Sequence, residues 1–274
     1  MKILIVGSAG FVGCTLSRKL KEHRLICLDS LKTPALINNI YHNKNHDFYV
    51  ADIANLDIIK NILVIEKPDV IINTVAPKNI SMVGSIFELV KLAKVSRFFQ
   101  FSYGFYDQME KRFHHPEKFE EVPIYLLEQA LWLHPEVVFV RAPNLFGPRQ
   151  NGTSAIPNLI RAVLADTGEV FKASNEMWLY INDLVSAIEF LLKQTEFERI
   201  YQVLPSKSYS FEYLVALVNS LKAGTSLPEV PVEIQKLLPR SSNIRSLGWQ
   251  ETKLEDKVVA TYQWYLNNQW FFKG

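Results

Sequence analysis

Three glycines near the start of the chain have the spacing of a loop that binds phosphate. Gly7, Gly10 and Gly13 follow the short apolar run Ile3 to Val6 and precede a helix-like segment. Gly7 permits a tight turn, Gly10 lets the backbone approach a pyrophosphate, and Gly13 lets the helix pack against the strand. The helix N-terminus then faces the anion. This context predicts a dinucleotide-binding loop.

An acidic residue follows the next predicted strand. Asp29 comes directly after the apolar run Leu25 to Leu28, where a carboxylate can accept hydrogen bonds from both ribose hydroxyls of an adenosine. Its charge would repel a 2′-phosphate, and no Arg lies in the next few residues, although Lys32 is close. We therefore expect NAD(H) in preference to NADP(H). The alternative is a glycine-rich turn beside an unrelated surface Asp.

Short apolar runs alternate with amphipathic stretches through the first half of the chain. The runs are rich in β-branched and aromatic residues, as in strands buried on both faces of a parallel sheet. The predicted strands are Ile3 to Val6, Leu25 to Leu28, Val70 to Ile72, Phe98 to Phe101 and Val137 to Val140, and the predicted helices include Phe11 to Glu22 and Gly84 to Lys94. This alternation predicts an α/β protein with a Rossmann-type, doubly wound parallel sheet.

The second half of the chain lacks the regular alternation of apolar runs and amphipathic stretches. Helices are predicted at Pro157 to Leu164 and Leu184 to Lys193, and proline-bearing turns follow. We expect residues 1–150 to form an NAD(H)-binding domain and residues 151–274 a smaller, mixed substrate-binding lobe. As an alternative, a strand near Trp178 to Ile181 returns to the first sheet.

Composition excludes several classes of protein. The chain has 274 residues, 48% of them hydrophobic and 21% charged, which is typical of a folded globular protein. The net charge is +2, and the Lys and Arg residues are not gathered into one basic stripe. A nucleic-acid partner is therefore not expected. Cys14 and Cys27 lack the spacing of a zinc site, so we expect no metal and a reducing, cytoplasmic location. No apolar run is long enough to span a membrane.

The glycine spacing and Asp29 together resemble the extended short-chain dehydrogenase/reductase family, which contains NAD-dependent epimerases and dehydratases that modify nucleotide sugars. Asp52-Ile53 resembles that family's adenine-contacting pair, and Thr74-Val75-Ala76 its loop after the fourth strand. The resemblance covers most of the chain. The cofactor-binding residues that it implies are Gly7, Ala9, Gly10, Phe11, Val12, Gly13, Asp29, Ser30, Asp52, Ile53, Thr74, Val75, Ala76, Tyr125 and Gln129.

The resemblance also implies a catalytic pair with one departure. Ser102 stands at the family's catalytic hydroxyl position, and Tyr125 is the candidate for its catalytic tyrosine. Family members carry a Lys four residues after that tyrosine, on the same helix face, but this chain has Gln129. An amide can bind a ribose hydroxyl but carries no charge to stabilise a phenolate. Loss of the lysine is expected to slow alcohol oxidation, in which the tyrosine acts as a base, more than ketone reduction, in which the tyrosine acts as an acid.

These residues favour an NAD(H)-dependent reductase of a nucleotide-linked 4-keto sugar. Tyr125 would supply the proton, Ser102 would steady the oxygen, and Gln129 would orient the ribose. One alternative is an epimerase or dehydratase that uses another general base. Another is a dinucleotide-binding module without turnover, which Gln129 and the short segment after Ala76 would support. Separately, the alternative role for Ser102 is a strand-end cap, and that for Tyr125 is a packing aromatic.

Other residues are candidates for substrate and partner contacts. Tyr103 would form a pocket wall, and Asn144, Arg149 and Arg161 would hold a diphosphate or sugar, the alternative for each being a surface or cap role. In the family, the helix carrying Tyr125 often lies at a dimer interface. Four apolar residues of this segment would suit a homodimer: Leu126, Leu127, Leu131 and Leu133.

Overall fold

The computed structural model describes residues 1–32, 35–103, 122–167, 177–207, 209–229 and 243–273. The strands in these ranges are β1 (Lys2–Val6), β2 (Arg24–Asp29), β3 (His46–Val50), β4 (Val70–Asn73), β5 (Arg97–Tyr103), β6 (Val137–Ala142), β7 (Asn144–Phe146), β8 (Trp178–Tyr180) and β9 (Ile200–Gln202). The α-helices are α1 (Phe11–Lys19), α2 (Leu56–Glu66), α3 (Ile80–Leu92), α4 (Val122–Leu131), α5 (Ala155–Ala165), α6 (Ile181–Leu192), α7 (Phe211–Ala223), α8 (Asn243–Ser246) and α9 (Leu254–Asn267).

Seven strands form one parallel sheet in the order β3-β2-β1-β4-β5-β6-β9. The chain runs outward from β1 to β3 and then resumes on the other side of β1 with β4, so the strand order reverses between β1 and β4. Val6 and Asn73 are register partners at the carboxyl ends of these two strands. Open α/β sheets bind ligands in the crevice that such a reversal creates. The predicted Rossmann-type sheet is confirmed.

The sheet is covered on both faces because alternate residues of its central strands point to opposite sides. On β1, Ile3 and Ile5 belong to an apolar cluster that includes residues of α1 and α6. Leu4 and Val6 belong to a second cluster with residues of α2, α3 and α4. Burial on both faces explains why this strand is an unbroken apolar run in the sequence.

The second half of the chain contributes to two sheets. β7 and β8 pair with each other in a separate two-stranded sheet, so residues 178–180 do not return to the large sheet. The strand that does join the large sheet is β9, which pairs with β6 and places Tyr201 beside Val140. Trp178 and Tyr180 instead pack with residues of α5, α7 and α9 in the apolar cluster that these helices share.

Among the residues that the structure describes, no helix combines the length and the apolar character needed to traverse a bilayer. Both cysteines, Cys14 and Cys27, are buried and free. Burial raises the pKa of each thiol, so neither cysteine has the thiolate character of a reactive residue.

Candidate active site

Gly7 and Gly13 lie where any larger residue would collide with the backbone or with a neighbouring loop. Gly7 has a φ of +82°, and a Cβ on it would lie 2.5 Å from Thr74 Oγ1. A Cβ on Gly13 would lie 2.1 Å from the carbonyl oxygen of Gly7. Both distances are far inside van der Waals contact. The turn, the first helix and the loop after β4 can therefore close on one another only because these side chains are missing.

The N-terminus of α1 has no side-chain cap. Gly10 precedes the helix with an extended backbone and makes no capping hydrogen bond through a side chain. The first-turn N–H groups of Phe11, Val12 and Gly13 therefore suit an anion, which the helix dipole also favours. Ser8 Oγ, in the same loop, is buried and has no hydrogen-bond partner among the described residues. A dinucleotide pyrophosphate fits these donors and the bare glycine surface.

Asp29 ends β2 beside the glycine loop and is buried. Its Oδ2 accepts a hydrogen bond from Ala9 N at 2.8 Å, and its Oδ1 accepts one from Leu31 N at 2.8 Å. These bonds fix the orientation of the carboxylate, and each oxygen retains a lone pair. Asp29 can therefore still accept both hydroxyls of a ribose. Ser30 follows it and is half-buried.

Lys32 is held by a different carboxylate. Its Nζ donates to Asp52 Oδ2 at 2.7 Å, linking the loops that follow β2 and β3. The hydrogen bond from Lys32, followed by that from the Ala54 backbone N–H, lowers the pKa of Asp52. The ammonium is thus directed toward Asp52 and not toward Asp29.

The loop after β4 is fixed against the strands on either side. Thr74 Oγ1 donates to Val6 O at 2.8 Å, and Val75 N donates to Asn73 Oδ1 at 3.2 Å. The buried Asn73 side chain in turn donates to Gln100 Oε1 at 2.8 Å. The residues predicted to bind cofactor in the first four strand ends share this edge of the sheet: Gly7, Ala9, Gly10, Phe11, Val12, Gly13, Asp29, Ser30, Asp52, Ile53, Thr74, Val75 and Ala76.

A buried hydroxyl, carboxylate and guanidinium meet between β5, β6 and α4. Ser102 Oγ donates to Glu128 Oε1 at 2.7 Å. Arg141 donates to the same carboxylate from Nε at 3.0 Å and from Nη2 at 2.5 Å. Ser102 and Arg141 are register partners on their strands. Glu128 thus accepts at least three hydrogen bonds, and its charge is balanced by Arg141.

Tyr125 and Gln129 are half-buried on α4. Glu128 lies three residues after Tyr125, so the two side chains share a helix face. The bond from Glu128 to Ser102 brings that face to the carboxyl end of β5. The three predicted catalytic residues therefore lie on two elements that are in direct contact.

Glu128 did not emerge from the sequence as a site residue. The signal was present, because Glu128 interrupts the apolar face that Leu127 and Leu131 form on α4. A carboxylate on a buried helix face requires a partner. The partners lie on other elements, and spacing along the chain does not identify them.

Arg149 contacts the loop after β2. Its Nη1 donates to the carbonyl oxygen of Asn38 at 3.0 Å, and its guanidinium lies 5.5 Å from the ring centroid of Trp264. Its backbone is left-handed, with a φ of +69°. These contacts join the 147–150 turn to the first domain and to α9.

The other predicted substrate residues belong to three different elements. Asn144 begins β7 and is half-buried, whereas Arg161 is exposed on α5. Tyr103 ends β5, but its side chain lies outside the described residues. Asn144 and Arg161 therefore lie on two different elements, β7 and α5.

Two of the leucines predicted for a dimer interface are core residues. Leu127 and Leu131 belong to the apolar cluster beneath α3 and α4, which corrects their expected role because buried side chains cannot reach a partner. Leu126 and Leu133 are exposed. The outer surface of this segment is therefore less apolar than the sequence indicates.

The second half of the chain contains a cavity of about 500 Å³. Phe146, Trp178 and Tyr180 form part of its lining, together with Tyr209. Trp178 Nε1 is buried and has no hydrogen-bond partner within the part of the chain that the structure describes. Nearby, burial raises the pKa of Asp183, which accepts a hydrogen bond from Thr252 Oγ1 at 2.8 Å.

Curated relatives of the chain include two dehydratases. The dTDP-D-glucose 4,6-dehydratase of Dictyostelium discoideum is 26% identical over 74% of this chain, a match that spans 58% of the relative's own length. The enzyme of the same name from Mus musculus is 23% identical over 97% of this chain and 89% of its own length.

Solved structures share the fold over the whole chain. The dTDP-glucose 4,6-dehydratase of Bacillus anthracis, in complex with NAD, has a TM-score of 0.82 at 19% identity and covers 100% of this chain and 99% of its own. The UDP-glucose 4-epimerase of Thermotoga maritima, with UDP-glucose, has a TM-score of 0.80 at 19% identity and covers 98% of this chain and 100% of its own.

The family comparison covers the chain on both sides of helix α4. Residues 3–102 and 132–203 match the NAD dependent epimerase/dehydratase family. These ranges contain the glycine loop, Asp29, Ser102 and Arg141, and more than half of the chain. The chain therefore belongs to the NAD dependent epimerase/dehydratase family.

Proposed function

We propose that the chain is an NAD(H)-dependent oxidoreductase that reduces a 4-keto group of a nucleotide-activated sugar. Family membership supports dinucleotide chemistry. Relatives named as dTDP-glucose 4,6-dehydratases support a nucleotide sugar as the substrate class. The uncapped N-terminus of α1 would hold the pyrophosphate, and Asp29 would hold the adenosine ribose.

The observation that carries the proposal is the distribution of charge around Tyr125. Helix α4 contains no Lys or Arg, and Gln129 occupies the position four residues after Tyr125. The nearby guanidinium of Arg141 is bound to the carboxylate of Glu128. The helix therefore provides no ammonium to stabilise a phenolate, and the positive charge on β6 is already balanced.

This arrangement suits an acid better than a base. Bound NADH would supply the hydride for ketone reduction. The phenol of Tyr125 would donate its proton to the developing oxyanion, and a phenol holds that proton near pH 7 without help from a cation. The amide of Gln129 would position the ribose by hydrogen bonding.

The contacts of Asp29 and Lys32 support NADH over NADPH. A 2′-phosphate would lie against the Asp29 carboxylate, and like charges at contact distance repel. Lys32 is the nearest cation in the sequence after Asp29, and its ammonium is bound to Asp52. The structure therefore leaves the repulsion from Asp29 uncompensated by Lys32.

A redox-neutral epimerase or dehydratase is the second candidate, favoured by the contact between Ser102 and Glu128. A substrate hydroxyl could pass its proton to Ser102 while Ser102 passes its own to Glu128, which would replace the missing base. Protonating Glu128 would, however, leave the buried Arg141 without its counter-charge. Breaking a buried ion pair in this way costs about 3–5 kcal/mol, so the acid role of Tyr125 is preferred.

The test is NADH oxidation by the purified protein with nucleotide-linked 4-keto sugars, alongside fluorescence measurements of NADH and NADPH binding. We expect turnover that prefers NADH and is lost in Tyr125→Phe. Tyr262→Phe, which alters a buried tyrosine on α9, is the matched control. Conversion of a nucleotide sugar without added NADH would contradict the proposal and support the second candidate. Tight NADH binding with no turnover would indicate a binding module.

A further inference from the structure

The chain that follows Asp29 returns to the glycine loop within a few residues. Leu36 N donates to Ala9 O at 3.2 Å, and Ala9 N donates in turn to Asp29 Oδ2 at 2.8 Å. We call residues 35–41 the return segment. Ala9 thus contacts both this segment and the carboxylate that is proposed to hold the adenosine ribose. A shift of the return segment would therefore reach Asp29 through Ala9.

Two arginines donate to neighbouring carbonyl groups of the return segment. Arg18, in the last turn of α1, donates from Nη1 to Asn39 O at 3.0 Å. Arg149, in the turn that follows β7, donates from Nη1 to Asn38 O at 3.0 Å. The first bond ties the segment to the helix of the glycine loop. The second ties it to a residue 111 positions further along the chain, beside the β7–β8 sheet.

The contact between Arg149 and the return segment runs in both directions. Asn39 Nδ2 donates to the carbonyl oxygen of Arg149 at 3.4 Å, and Asn39 is 1% exposed. The backbone of Arg149 is left-handed, with a φ of +69°, which costs energy in a residue other than glycine. Such strain persists where surrounding contacts hold it, and it is common at ligand clamps.

Helix α9 fixes the other side of the same turn. The guanidinium of Arg149 lies 5.5 Å from the ring centroid of Trp264. The next carbonyl oxygen, that of Gln150, accepts a hydrogen bond from Tyr265 Oη at 2.8 Å. The turn is therefore held by α9 and can support the return segment.

We infer that Arg149 is a positioning residue of the cofactor site. By holding the return segment beside the glycine loop, it makes the turn after β7 part of what binds the adenosine half of NAD(H). In this role Arg149 acts through Asn38 and Leu36 and makes no contact of its own with the cofactor. The inference rests on the proposed function for its cofactor alone, NAD(H) bound at the glycine loop and Asp29.

The expected consequence is a change in affinity and not a loss of the fold. Removing the guanidinium leaves the bonds of Arg18 and Leu36 in place, so the return segment would open in only a fraction of the molecules. The apparent affinity for a ligand falls by the fraction of molecules in which its site is formed. Any ligand that carries the adenosine half should therefore bind more weakly, whatever its other half.

The first test is Arg149→Gly, titrated with NADH by fluorescence and with ADP-ribose by calorimetry. Glycine adopts a left-handed backbone without strain, so the variant should remain folded, which urea unfolding checks. We expect both ligands to bind roughly three- to tenfold more weakly, by the same factor, because they share the adenosine half. The factor should persist at high salt, since the loss of a charge alone would be screened.

Asp166→Gly is the matched control. Asp166 also has a left-handed backbone, with a φ of +56°, and it ends α5 with its side chain paired to Lys222. The substitution makes the same backbone change and removes a charged side chain away from the return segment. We expect it to leave the affinities for NADH and ADP-ribose unchanged.

The second test measures the return segment directly by hydrogen exchange. The Leu36 amide donates to Ala9 O, and the Asn39 amide donates to Leu36 O at 2.8 Å. We expect both amides to exchange faster in Arg149→Gly, at the parent rate in Asp166→Gly, and more slowly in the parent protein when NADH is bound. A purely structural role for Arg149 would instead speed exchange in α9.

The outcomes separate this inference from the proposed function. Unchanged affinity for ADP-ribose in Arg149→Gly, or unchanged exchange at Leu36 and Asn39, overturns the inference and leaves the proposed function standing. Weaker binding of UDP or dTDP with unchanged binding of ADP-ribose also overturns it and supports the substrate role predicted from the sequence. An equal loss of affinity in Asp166→Gly overturns it as well. Failure of the parent protein to bind NADH overturns the proposed function, and the inference falls with it.

Discussion

Lys32 Nζ donates to Asp52 Oδ2 at 2.7 Å, joining the loops that follow β2 and β3. Asp52 thus holds the cation that follows Asp29 most closely in the sequence. Under the proposed preference for NADH, two carboxylates would act together, Asp29 by repelling a 2′-phosphate and Asp52 by retaining Lys32.

Asp52→Asn is expected to release Lys32 and to improve NADPH binding relative to NADH by a few-fold. The effect is modest because Lys32 is largely exposed, and a surface charge is screened by salt. Fluorescence titrations of both cofactors at low and high salt measure it. Lys32→Met is the control and should weaken NADPH binding further. No change in the ratio in Asp52→Asn would show that Lys32 does not reach the ribose.

Gly13→Ala is expected to abolish NADH binding and to destabilise the fold. The new Cβ would lie 2.1 Å from Gly7 O, so α1 would have to move away from the turn, and overpacking of this kind costs about 1–3 kcal/mol. Gly84→Ala is the matched control, because nothing lies within 4 Å of its Cβ position in α3. It should stabilise the protein by about 0.5–1 kcal/mol. Urea unfolding and NADH titration of both variants give the comparison.

Gln129→Lys is expected to raise alcohol oxidation at neutral pH more than it raises ketone reduction. An ammonium four residues after Tyr125 favours the phenolate, which serves as a base for oxidation, whereas reduction uses the phenol as an acid. Initial rates in both directions, measured across a range of pH, test this. Gln129→Met controls for the shape of the side chain. If Gln129→Lys changed the rates of oxidation and reduction equally, the missing ammonium would no longer support reduction as the proposed function.

Glu66→Gln is expected to destabilise the protein at neutral pH but not in strong acid. The Glu66 carboxylate accepts from Tyr49 Oη at 2.5 Å and from Lys2 Nζ at 3.3 Å. The Tyr49 bond, with help from Lys2, lowers the pKa of Glu66 in the folded state. The stabilisation is therefore present above the unfolded pKa and is lost as pH falls through the lower, folded pKa.

Urea unfolding of the parent protein and Glu66→Gln at several pH values measures this dependence. The difference should be about 1–2 kcal/mol at pH 7 and should shrink below the ordinary glutamate pKa of about 4.3. Tyr49→Phe should reproduce part of the loss. A difference that persists unchanged in acid would contradict the ion-pair explanation.

The strands of the sheet centre could be predicted because they are buried on both faces. The apolar runs Ile3 to Val6 and Val137 to Val140 lie within β1 and β6. By contrast, β3 (His46–Val50) lies at the sheet edge and is only partly buried. Its strand-favouring residues are limited to the short run Phe48 to Val50, which is too short to predict a strand by its period.

Helix limits were less predictable than helix positions. Helix α3 begins at Ile80 and not at Gly84, because Asn79 caps it by accepting a hydrogen bond from Met82 N at 2.9 Å. That cap was visible in the sequence as an Asn before an apolar stretch. The Ser102–Glu128 contact was not visible, because its partners are 26 residues apart on elements whose relative placement depends on the whole fold.

The position of β9 has a consequence for how the polypeptide becomes stable. β9 pairs with β6, and α6 packs on α1. The second half of the chain therefore supplies the last strand of the large sheet and a helix that covers one of its faces. A fragment ending near residue 150 would leave the outer edge of β6 unpaired and the face of α1 that contacts α6 uncovered. An unpaired strand edge of this kind can pair with a strand of another chain, which leads to aggregation. The two halves should therefore melt in a single transition, and the large sheet is complete only after β9 has been synthesised.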